Sequence, residues 1–162
     1  MVIKEKIREA INRQINREFY SAYLYLSMSA YFESINLKGF SHWMRMQTKE
    51  ETEHAMKLYD YLIEKGGRVI LSEIESPLSE WKSPLAVFEH TYAHEKKVTE
   101  MINDLMELAK SKNDYATEVF LQWFVNEQVE EEASAEEILQ KIKLMKDIPG
   151  RLSMLDRQLG ER

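Results

Sequence analysis

The chain has 162 residues, 44% hydrophobic and 31% charged, with a formal net charge of −6; this implies one domain with a sizeable core and excludes a disordered chain. Mild acidity without a Lys/Arg block argues against a nucleic-acid partner, and no apolar run approaches the ~20 residues of a membrane span. Cysteine is absent, which excludes disulfides, thiolate metal sites, iron–sulfur ligation and cysteine nucleophiles.

Apolar residues recur every three or four positions almost throughout, the periodicity of amphipathic helices. The opening "MVIKEKIREAINRQ" is charged and periodic and lacks the apolar core of a signal peptide, so a cytoplasmic location is expected. A first helix is predicted over about 4–33, with Ile7, Ile11, Ile15, Ala22, Leu26 and Ser29 on its stripe. After a break at "SINLKG", a second covers about 38–65 and stops at Gly66–Gly67. Residues 67–83 hold no helical period and form a connection. Ser83–Pro84 reads as an N-cap with a first-turn proline, opening a third helix over about 84–110. "SKND" separates it from a fourth over about 115–145, and after "DIPG" a short fifth covers about 150–159.

Connection lengths set the expected topology. Short links make the first and second helices, and the third and fourth, antiparallel neighbours. The 67–83 link can reach roughly 55 Å when extended, more than the ~42 Å of a 28-residue helix. It can therefore traverse a bundle and let helices two and three run parallel. The expected fold is all-α: a single four-helix bundle over residues 1–162, with one long crossover and a short fifth helix.

The informative residues are ionisable ones on the apolar stripes, because isolated buried charges need partners or a metal. Glu18 lies among Ile11, Ile15, Ala22 and Tyr25; Glu51 lies among Met44, Ala55 and Leu58, with His54 three residues on. Glu95 lies among Phe88, Tyr92, Val98 and Ile102, and Gln128 and Glu131 share a stripe with Leu121, Phe124, Ala135 and Ile138. Each acid falls roughly 16–24 Å from the start of its predicted helix, so all stand at one level. Carboxylates converging there repel unless a cation balances them. Carboxylates with one imidazole suit iron or manganese, and zinc less exclusively. Plainer readings exist: Glu51 and His54 as a surface i,i+3 pair, Glu18 and Glu95 as salt-bridge residues, and "EQVEEE" as a solvated acidic run.

In order and spacing, "NREFYSAYLYLSMSAYF", "KEETEHAMKLYDYL", "TYAHEKK" and "WFVNEQVEEE" carry a resemblance over the whole chain, about Ile3 to Leu159, to the non-haem ferritins of the prokaryotic type. The resemblance implies a ferroxidase centre. Glu18, Glu51 and His54 form a first iron site, with Glu51 bridging. Glu95 and Glu131 complete a second, with Gln128 close by. Tyr25 matches a tyrosine beside the centre, and Glu50, Glu127 and Glu130 match a third iron site toward an inner surface. Implied too are Fe(II) with dioxygen or hydrogen peroxide as substrates and a 24-subunit homo-oligomeric cage storing ferric oxyhydroxide. Haem is not expected: the related bacterioferritins have histidine where Glu131 stands, and a haem-binding methionine where this chain has Thr52. The competing class is a di-iron or di-manganese oxidase or peroxidase that stores nothing. Tyr31, Phe32, Leu78, Trp81 and the stripe Leu152, Leu155 and Leu159 are candidate assembly patches, and Glu118 a candidate pore residue.

Overall fold

The computed structural model describes residues 2–145 and 147–162. Five helices form, and no strand occurs among the described residues: α1 Glu5–Ser34, α2 Lys38–Glu64, α3 Pro84–Ser111, α4 Tyr115–Met145 and α5 Arg151–Leu159. Every predicted boundary lies within one residue of these. Three of the helix ends share one device. Leu37 N–H donates to Phe32 and Asn36 N–H to Glu33; Gly67 donates to Leu62 and Gly66 to Ile63; Asp114 donates to Ala109 and Asn113 to Lys110. Asn36, Gly66 and Asn113 have φ of 60°, 76° and 53°. These are Schellman ends, for which glycine and asparagine are the residues that accept a left-handed backbone.

Two compact units make up the chain: residues through Lys82 with Met145–Arg162, and Ser83–Leu144. In the first, α1 and α2 are antiparallel. Ile3 N–H donates to the Lys65 carbonyl, Thr48 Oγ1 to the Ala22 carbonyl, and Ser29 Oγ lies 2.8 Å from Ser41 Oγ. As numbers rise along α1 they fall along α2, which sets Glu18 level with Glu51.

The crossover is an extended strap on α1. Asn12 works like a strand residue: Nδ2 donates to the Arg68 carbonyl and Oδ1 accepts from Ile70 N–H. Asn16 donates to the carbonyls of Ser72 and Glu73, Arg17 pairs with Glu75 at 2.9 Å, Ser27 donates to the Leu78 carbonyl, and Tyr31 meets Trp81 edge-on. The link therefore runs from the N-terminal end of α1 to its C-terminal end, the traverse that its length permits.

The start of α2 has no side-chain cap of its own. Asp156 of α5 supplies one, its carboxylate accepting the Phe40 N–H at 2.9 Å; an acid there also faces the positive end of the helix. The backbones meet at Gly39, where an added Cβ would stand 1.6 Å from the Asp156 carbonyl oxygen. Leu155 and Leu159 are buried with α5 docked on α2, and Phe32 is buried in the core. Those three expected assembly residues are thus internal, because an amphipathic stripe looks the same whether its partner is the same chain or another. Leu26 is 45% exposed; the inward position in that turn belongs to Tyr25, since a helix turns about 100° per residue.

In the second unit, Ser83 Oγ accepts the Ala86 N–H at 3.1 Å with Pro84 in the first turn, as read from the sequence. Asp114 caps α4 through Thr117 N–H and Oγ1. Gln128 reaches Glu95, and Thr99 donates to Glu132, so α3 and α4 lie side by side. Glu118 lines an open depression with Asn103, Glu107 and Lys110.

Gly39→Ala separates two effects of opposite sign. Helix propensity alone favours alanine by about 1 kcal/mol, but the obstructing atom is backbone and cannot rotate away. The expected outcome is a net loss of roughly 1–3 kcal/mol in chemical denaturation, with faster amide exchange confined to α5 and the first turn of α2.

Candidate metal centre

Glu18 and Glu51 lie on the buried stripes of α1 and α2, among Ile11, Ile15, Ala22 and Tyr25 and among Met44, Ala55 and Leu58, and each is only 1% exposed. His54, one turn beyond Glu51, is 4% exposed, with Nδ1 3.4 Å from Glu51 Oε2. Glu18, Glu51 and His54 each offer a ligand atom, and the three atoms lie within 4.8 Å of one another. Gln14, a turn before Glu18, donates Nε2 to Glu18 Oε1 at 3.0 Å. The other oxygen, Oε2, is buried and has no hydrogen-bond partner. A buried carboxylate oxygen without a donor is costly, and a cation is the natural way to satisfy it. Two carboxylates and an imidazole form a donor set that fits iron. Tyr25 is fully buried, seven residues from Glu18 on the same face of α1.

On the second unit, Glu95, Gln128 and Glu131 are all buried. Gln128 Nε2 lies 3.1 Å from Glu95 Oε2, 3.2 Å from the Glu95 carbonyl and 3.2 Å from Thr99 Oγ1. Thr99 Oγ1 in turn donates a hydrogen bond to Glu132. The Gln128 amide thereby fixes the orientation of Glu95, a role that its place in the stripe did not disclose.

The outer acids differ from these. Glu50 is half-buried and ion-paired with Arg162 at 2.9 Å. Glu127 is half-buried, while Glu130 and Glu53 are exposed. Of the other histidines, His94 is buried and His42 Nε2 lies 2.9 Å from the Arg162 carbonyl. Burial, followed by the charge of Lys97, pushes the His90 pKa below the ordinary 6.5. Sequence reasoning missed Gln14, Thr99 and Arg162. Gln14 had a signal, an amide four residues before a stripe carboxylate; Arg162 had none.

The Ferritin family model, described as a ferritin-like domain, matches residues 8–145. A bacterial non-heme ferritin of Bacteroides fragilis is 45% identical over 99% of this chain and 100% of its own. Another from Campylobacter jejuni is 40% identical over 98% and 95%. Among solved structures, an open pore ferritin from the hyperthermophilic archaeon Archaeoglobus fulgidus is 57% identical, with a TM-score of 0.98 over 99% of both chains.

The unsatisfied Glu18 oxygen makes a prediction for the metal-free protein. Glu18→Gln removes a buried charge with little change of shape, so the denaturation midpoint should rise, by about 1–3 kcal/mol in stability. The same variant should bind divalent cations more weakly in calorimetric titration. A gain in stability without a loss of binding would show that Glu18 holds no metal.

Proposed function

The chain belongs to the ferritin family, and from that premise we propose that it stores iron after oxidising Fe(II) to Fe(III) at a di-iron ferroxidase centre inside each subunit. The observation that carries this reading is the buried triad Glu18, Glu51 and His54, with its three ligand atoms within 4.8 Å and one carboxylate oxygen unsatisfied. Iron here is substrate and cargo. Glu18, Glu51 and His54 bind one ferrous ion, with Glu51 as the bridging carboxylate, and Glu95 and Glu131 are the ligands of the second. Gln128 serves the second ion by holding Glu95 in position rather than by strong ligation. Two ferrous ions give up one electron each, and with two protons these convert dioxygen to hydrogen peroxide; peroxide itself is the alternative two-electron acceptor. Anionic ligands favour the product, because the higher cation charge gains more from them. Tyr25 stands beside the centre as a candidate redox side chain.

The outer acids Glu50, Glu127 and Glu130 serve as further, weaker iron ligands, and ferric ions leave for a mineral store. The reading includes a cytoplasmic 24-subunit cage and no haem, since Thr52 and Glu131 stand where a haem-binding relative needs methionine and histidine.

Glu51→Ala and His54→Ala should each abolish the fast phase of ferrous oxidation, followed by absorbance after oxygen is mixed with the anaerobically loaded protein. Unchanged rates in both variants would overturn the assignment. Storage is tested on the same samples. Twenty-four chains of 19.2 kDa elute at roughly half a megadalton and should retain hundreds of irons. About two irons per chain would mark an oxidase that stores nothing.

A further inference from the structure

Arg162 is bound to one face of α2. Its Nη2 lies 2.7 Å from Gln47 Oε1 and 2.9 Å from Glu50 Oε1, Nη1 donates to the Trp43 carbonyl at 3.2 Å, and the guanidinium carbon stands 4.6 Å from the centre of the Trp43 ring. Trp43, Gln47 and Glu50 succeed one another at offsets of four and three, so they line one strip of the helix. The next residue on that strip, four beyond Glu50, is His54. Trp43, Gln47 and His54 are buried, whereas the Glu50 side chain is 41% exposed. Glu50 is thus the carboxylate at which the strip leading to the buried histidine opens to water, and a fixed positive charge sits on it. A guanidinium is always charged and holds carboxylates in a preset fork geometry. Stacked on Trp43 and bonded to Gln47, it is already organised for that contact, so little freedom is lost in making it.

We propose that Arg162 is a positioning residue for iron transfer. Its guanidinium holds the Glu50 carboxylate while no metal is there, and a cation passing between the buried Glu51–His54 pair and the outside must displace it. The inference rests on the reading of Glu50 as an iron ligand. It goes beyond that reading by making the outer site a competition between a cation and a tethered arginine. Only Gly160 and Glu161 separate Arg162 from α5, the helix whose Asp156 caps the start of α2. The pair is partly exposed, hence the competition is screened by salt.

The test uses Zn(II), which is redox-silent, titrated calorimetrically into the assembled protein, with Glu51→Ala and Glu50→Ala defining which sites depend on which acid. In Arg162→Gln the Glu50-dependent site should bind roughly threefold to fivefold tighter, the range set by a partly exposed ion pair. The Glu51-dependent sites should be unchanged. The gain should shrink at about 1 M salt, where the screening length falls to ~3 Å, and should vanish when Glu50→Ala is added. Arg162→Lys, which keeps the charge but loses the stacking and the second bond, should fall between the parent and Arg162→Gln. Equal affinity in parent and Arg162→Gln, a gain that survives Glu50→Ala, or the absence of any Glu50-dependent site would each overturn the proposal. Failure of Glu51→Ala to remove any site is a separate result that counts against the ferroxidase reading.

Discussion

A carboxylate taken out of water needs either donors or a cation, and the α1–α2 seam gives Glu18 one amide for two oxygens. Much of this unit's construction follows from keeping such a group buried and in place. Apolar neighbours above and below Glu18 and Glu51 exclude water. The Ser29–Ser41 and Thr48–Ala22 bonds fix the register that sets the two acids level. In the metal-free state this arrangement is electrostatically unfavourable, because like charges at short range are not fully compensated. The fold tolerates that strain because long helices spread the stabilising burial over many apolar side chains, so a local deficit does not open the seam. A cation then adds to stability in proportion to its preference for the folded chain.

The same logic explains why polar side chains elsewhere in the interior are so fully engaged. Gln128 fixes Glu95 and is itself anchored on Thr99, whose hydroxyl donates to Glu132. A relay of neutral groups can orient a carboxylate without neutralising it, which leaves its charge available to a ligand. Arg162 on Glu50 is the contrasting arrangement: there the charge is met directly, at the edge of the helix where water and ions can compete for it. The chain thus manages its acids in two ways, by orientation in the second unit and by pairing at the edge of α2 in the first.

Much of this was legible in the sequence, because helices carry their spatial neighbours three and four residues away. Glu18, Glu51, His54, Glu95, Gln128 and Glu131 stand out as polar residues on apolar stripes, and all six are buried. Gly66 and Asn36, and the Ser83–Pro84 pair, mark helix ends for reasons of local backbone geometry. What periodicity cannot carry is the identity of a distant partner. Leu155 and Leu159 form a stripe suited equally to another subunit or to α2, and they pack on α2. That Glu50 pairs with Arg162 had no signal in the sequence, because the arginine lies 112 positions away. Leu26 and Tyr25 differ by one position, and only packing tells which faces inward.

The cap on α2 has a consequence for the order in which the chain acquires structure. Asp156 meets Phe40 across 116 residues of sequence, so during synthesis the first turn of α2 waits uncapped until three further helices have emerged. The α1–α2 hairpin must therefore hold its register on its own short-range contacts, through the Schellman turn at Asn36 and the serine and threonine bonds beside it. Contacts of such high separation close late. Docking of α5 is thus a finishing step, a latch thrown over a hairpin whose buried Glu18, Glu51 and His54 are already brought together.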